Sequence, residues 1–287
     1  MTQTLCLPRS HRAPALRRSG LFALALGAAL SLAGCQTSDI YNGVPIDTAA
    51  GSSANIASLT EVIKVSPGDA NAYNTRGVAY GKAGKLDQAM QDFNTALKLD
   101  PNSYQAYANR ALVERRRGNM ANAVADYDRA LRIKPDYDAA LVGRGNTYRL
   151  AGRYPEALRD FDAVIRRNSN DARAFHNRGL IYQAQGQHNF AIEDFSTAIV
   201  LNPKASEPYI ARGISYLKAN DPQAALADLS EAVNFDKNSS IAWANRGVAL
   251  EMTGQKSDAV RNYNRALGLD ANNQVARDGL ARVNRGS

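Results

Sequence analysis

A step of 34 residues runs through this chain and fixes what it can fold into. Pro67, Pro101, Pro135 and Pro203 stand on one ladder with that spacing, and Ser169, Lys237 and Ala271 occupy the remaining rungs. A period of this length marks a stacked array, in which each unit is too small to bury its apolar face alone and neighbours complete the core. In this register the six units are Ala70 to Ser103, Tyr104 to Tyr137, Asp138 to Asp171, Ala172 to Ala205, Ser206 to Ser239 and Ser240 to Asn273.

Each unit repeats the same chemistry. The fourth position is Tyr73, Tyr107, Leu141, Phe175, Tyr209 and Trp243; the eighth is Gly77, Ala111, Gly145, Gly179, Gly213 and Gly247. The twentieth is alanine in every unit, from Ala89 to Ala259, and the twenty-fourth is Phe93, Tyr127, Phe161, Phe195, Leu229 and Tyr263. Small facing large is how two helices of a hairpin interdigitate. Position fifteen, between the helical patterns, is glycine five times and Asn220 once, residue types that tolerate the positive φ of a helix C-terminus.

This pattern resembles the tetratricopeptide repeat. The resemblance implies an all-α fold, a right-handed superhelical solenoid of six hairpins, with residues 54–69 as a half repeat at one end and residues 274–287 as a capping helix and tail. Leu59 and Val62 are the expected apolar positions of the half repeat; Val275, Leu280 and Val283 are those of the cap. Two departures, Glu114 where the family carries an aromatic at position eleven and Pro222 where it carries a bulky residue at position seventeen, predict local looseness.

Where the family carries leucine at position seven, this chain has Arg76, Arg110, Arg144, Arg178, Arg212 and Arg246. Position twenty-three is Asp92, Asp126, Asp160, Asp194 and Asp228, with Asn262 last. Antiparallel helices turning near position fifteen place seven opposite twenty-three, so the spacing predicts structural Arg–Asp pairs, which can be bidentate.

At about 100° per residue, positions 4, 7, 8 and 11 of each first helix share one side and 2, 5, 6, 9, 12 and 13 the other. In the resembled family the second side lines a concave groove that binds extended peptides or partner helices. Here it holds Arg115, Arg116, Arg149 and Arg173 with Asn109, Asn146, Asn177 and His176, then Leu180, Ile210, Ile214, Leu217, Ile241 and Val248. An arginine cluster beside an apolar strip suits an acidic segment or a C-terminal carboxylate; a merely solvated wall is the other reading, and both stay open.

Little else carries chemistry. After the N-terminal segment only His176 and His188 remain as histidines, twelve residues apart, which gives no metal-ligand set. Gly213-Ile214-Ser215-Tyr216-Leu217 lacks the second glycine of a nucleophile elbow. No enzyme activity, cofactor, metal or small-molecule substrate is expected. Four of the 35 basic residues lie in residues 1–34, which hold no acid, so 31 face 27 acidic residues beyond them. That balance is too weak for nucleic acid.

The N-terminal segment predicts location. Basic residues from Arg9 to Arg18 precede an apolar run from Leu21 to Leu32, too short to span a membrane as an ordinary helix and suited to a signal peptide. Leu32-Ala33-Gly34-Cys35 resembles the lipobox of bacterial lipoproteins, which implies cleavage after residue 34, acylation of Cys35 and membrane attachment. Gln36 in place of aspartate favours the outer membrane. Residues 35–53 read as a lipidated flexible tether reaching about 25 Å. The expected function is a lipid-anchored, protein-binding adaptor facing the periplasm, resembling tetratricopeptide lipoproteins that dock proteases and peptidoglycan hydrolases; the alternative is a pilotin-like assembly factor for secretin or pilus subunits.

Overall fold

The computed structural model describes residues 50–167 and 170–285. The signal segment, Cys35 and most of the tether lie outside the described residues. Fourteen helices are seen among the described residues, all in one compact unit. A lone α1 (Ser53–Val65) leads into six hairpins: α2 (Ala70–Lys82) with α3 (Leu86–Leu99), α4 (Tyr104–Arg116) with α5 (Met120–Ile133), and α6 (Asp138–Leu150) with α7 (Tyr154–Arg166). Then come α8 (Ala172–Ala184) with α9 (His188–Leu201), α10 (Ser206–Lys218) with α11 (Pro222–Phe235), and α12 (Ser240–Met252) with α13 (Lys256–Leu269). The last helix is α14 (Gln274–Arg285). The fold is an all-α superhelical repeat.

Local chemistry sets the boundaries. Asp69, Ser103, Asp171 and Ser239 accept backbone N–H groups at first-helix N-termini. Each hairpin turn needs one left-handed residue, and Asn220 (φ 61°) is the one described non-glycine residue with positive φ. There Asp221 N–H bonds back to Tyr216 O at 2.9 Å, closing the first helix as a Schellman motif does. Pro222 loosens nothing, contrary to expectation. It opens α11, where its missing N–H would have no helical partner, and Asp221 caps the same turn.

Hairpins close through the small–large pairs. A Cβ added at Gly179 would sit 2.7 Å from Phe195 Cε1, so only glycine lets α8 and α9 approach this closely. Where position twenty-four is Tyr127 or Tyr263, the ring extends into the next first helix, against Gly143 and Gly279. Both glycines hold position six of their unit, so α14 acts as the first helix of a seventh unit without its second. Its buried residues are Ala276, Gly279 and Val283, while Val275 is 41% exposed, contrary to expectation. In α1 likewise the buried residues are Ile56 and Ile63, and Val62 points outward.

Successive first helices bring their backbones close along the array (α2–α4 through α12–α14), whereas the backbones of successive described second helices stay farther apart. The array therefore curves toward its first helices, which form the inner wall.

Candidate functional site

Two sets of arginines occupy opposite sides of the first helices, and their surroundings differ. In the ladder, Arg76, Arg110, Arg144, Arg178 and Arg212 each donate from Nε and Nη2 to both oxygens of Asp92, Asp126, Asp160, Asp194 and Asp228 respectively, at 2.6–2.9 Å. Each third nitrogen, Nη1, reaches back one unit to Thr60, Asn94, Asp128, Asp162 or Ser196. These five hold position twenty-five, a polar rung that sequence reasoning missed although it recurs every 34 residues. Burial raises the pKa of Asp160 and Asp194 against the opposing pull of their arginines.

On the inner wall Arg149 is half-buried, and its Nε and Nη2 donate to the neutral Asn146 Oδ1 at 3.2 and 2.8 Å. Burial, then the charge of Arg115, pushes its pKa down to about 10, with no carboxylate acting on it. Its charge also reaches His176 on the next unit. Arg115, Arg149, Asn146 and His176 thus converge from three successive units.

The other expected arginines have partners of their own. Arg116 donates to Gly81 O at 2.9 Å, and Arg173 is paired with Asp171 at 2.6 Å while lining one cavity with His176. Asn109 donates to Asn74 Oδ1 of the preceding unit. Asn146, His176 and Asn177 are 5%, 7% and 4% exposed. They lie within the wall rather than on it, because the adjoining first helix covers positions 5, 6 and 9. Both His176 ring nitrogens and Asn177 Oδ1 are buried without a hydrogen-bond partner. Both residues line a cavity of about 40 Å³ between α8 and α10, room for water. In the apolar strip Leu180 and Ile210 pack on core clusters, Ile214 is half-buried, and Ile241 is exposed.

An inner wall of stacked first helices, carrying a cationic cluster and an apolar strip, defines a helical-repeat scaffold. The chain belongs to the tetratricopeptide repeat family, whose model matches residues 56–102, 74–138 and 210–274, with further repeat models over 145–186 and 172–205. Proteins of this family act as protein-binding scaffolds. Among solved structures the fold is similar to the Cut9–Hcn1 complex of the APC/C (TM-score 0.75, 18% identity, 82% of this chain), of which it spans only 47% of the matched chain. It is also similar to pilF of Pseudomonas aeruginosa (TM-score 0.68, 20% identity, 74% of this chain and 97% of that one). A third likeness is to PilW, described as a widely conserved type IV pilus biogenesis factor (TM-score 0.66, 18% identity, 74% and 98%). No curated protein matches the chain.

Proposed function

We propose that the chain is a lipid-anchored adaptor that holds partner polypeptides in its concave groove at the periplasmic face of a bacterial envelope, most simply the outer membrane, and thereby recruits proteases or peptidoglycan hydrolases. The observation that carries the binding mode is Arg149, a guanidinium held in the wall by burial and a neutral amide while five ladder arginines each have a carboxylate. An acidic segment or C-terminal carboxylate would supply the missing charge, and the apolar strip would take the side chains that follow. Attachment rests on the lipobox-like run ending in Cys35.

The test is capture from an envelope extract. Changing Arg115 and Arg149 to Gln should weaken capture tenfold or more, about 1.4 kcal/mol, without lowering stability, since the Arg149 charge is held half-buried against a neutral amide. Unchanged capture would refute the groove assignment. Cys35→Ser should move the chain from the membrane to the soluble fraction; retention in the membrane would refute the anchor. A second reading, an assembly factor for pilus or secretin subunits, is suggested by the likeness to nearly all of PilW. It predicts such subunits rather than hydrolases in the catch.

A further inference from the structure

Three ladder arginines, Arg76, Arg178 and Arg212, are held between two aromatic rings as well as by a carboxylate. The Arg76 guanidinium carbon lies 5.7 Å from the rings of both Tyr73 and Tyr80. In α8 the corresponding distances for Arg178 are 5.9 Å to Phe175 and 5.8 Å to Tyr182; in α10 Arg212 is 5.9 Å from both Tyr209 and Tyr216. One ring comes from position four and the other from position eleven. Three units depart from it: the third has Leu141 at position four and keeps only Tyr148, the sixth has Leu250 at position eleven and keeps only Trp243, and the second has a carboxylate where its ring would stand. Arg110 has Tyr107 on one side at 5.6 Å, but position eleven is Glu114.

What stands in place of the ring is a cavity of about 300 Å³. Arg110, Glu114 and the buried Asp126 line it together with Met90, and it meets solvent at the exposed Asn94, Asn122 and Ala125. A cavity of about 150 Å³ is enough to take benzene, so there is room for a ring and for a polar substituent. Glu114 Oε2 accepts from Asn119 Nδ2 at 2.7 Å, and a carboxylate can accept further hydrogen bonds. The ladder geometry of Arg110 is complete, with Asp126 and Asn94 both bonded, so a ligand here faces the exposed π-side of an already fixed cation rather than a carboxylate vacancy. Cation–π attraction at such a site reinforces apolar contact with Met90.

We propose that this cavity binds a phenol ring, stacked over Arg110 where the first, third, fourth and fifth units place their own Tyr80, Tyr148, Tyr182 and Tyr216, and donating its hydroxyl to Glu114. The site lies on the face of α4 opposite Asn109 and Arg115, so it is separate from the groove. The ring has two sources, a free phenol or a tyrosine side chain of a partner polypeptide.

Met90 provides the readout. In the full chain labelled at methionine methyl groups, p-cresol should move the Met90 methyl upfield in a saturable manner by ring current, leaving the distant Met252 in place. The same amount of 4-methylcyclohexanol should give at least a tenfold weaker response. Glu114→Tyr should abolish the p-cresol response by filling the site from within. Ala125→Leu, at the exposed mouth, should weaken it tenfold and keeps the test valid should the first variant fold poorly. The peptide Gly-Gly-Tyr-Gly acting like p-cresol would assign the ring to a partner's tyrosine; p-cresol acting alone would assign it to a free phenol. The response should persist when Arg115 and Arg149 are changed to Gln, which separates it from the groove. No saturable shift of Met90, or equal shifts with the saturated analogue, would overturn the proposal.

Discussion

His176 shows how much one residue's meaning depends on what stacks above it. On its own helix it is a polar residue at position five, a groove position; in the array it is buried, 5.6 Å from the Phe195 ring, near Arg149, with neither ring nitrogen bonded. Burial, reinforced by Arg149, pushes its pKa from 6.5 down to about 3. The folded protein therefore holds it neutral, while the unfolded chain takes up a proton below pH 6.5. Its contribution is complete above that pH and is lost as pH falls toward 3, at up to about 1.4 kcal/mol per pH unit. Denaturant midpoints at pH 7 and pH 5.5 should show this loss in the natural chain and not in His176→Leu. Equal losses in both would mean that His176 is not held neutral. The helix-wheel reading could not have found this. A wheel separates the hairpin side of a helix from the other side, but not the part of that other side covered by the next unit, where Asn146 and Asn177 also lie.

At the scale of the element, pairing of position seven with twenty-three was readable because both residues lie within one hairpin, whose geometry follows from where it turns. The reach of each arginine to position twenty-five of the unit before was not, since it depends on the stacking angle between hairpins. The α12–α13 hairpin departs from the rule. Asn262 stands where the others have aspartate, and its Nδ2 donates to Asp258 O. Arg246 Nε and Asn262 Oδ1 are both buried and unbonded, and burial lowers the Arg246 pKa. Asn262→Asp should complete the sixth rung with a charge-assisted bidentate pair and stabilise the protein by about 1 to 2 kcal/mol. Chemical denaturation would read this as a higher midpoint with unchanged slope. A lower midpoint would mean that burying the new carboxylate outweighs the pair.

For the whole molecule, the third nitrogen of each arginine matters more than the first two. The bidentate pair stabilises a hairpin internally, whereas the bonds from Arg110 Nη1 to Asn94, Arg144 to Asp128, Arg178 to Asp162 and Arg212 to Ser196, at 2.6–2.8 Å, join one hairpin to the next. In a one-dimensional array, stability is a sum of unit and interface terms, and only the interface terms make units unfold together. Changing Asn94, Asp128, Asp162 and Ser196 to Ala leaves every Arg–Asp pair and small–large contact in place and removes only the polar links. Each link is partly exposed, so the total loss should be small, a few tenths to about 1 kcal/mol per interface. The cooperativity should fall more visibly: the urea transition should broaden, with a smaller m-value, as the array breaks into independently unfolding blocks. Helicity in water should be unchanged. If the midpoint drops while m stays the same, the apolar contacts between successive first helices are enough to keep the array one folding unit, and the Nη1 links only fix the register in which hairpins dock.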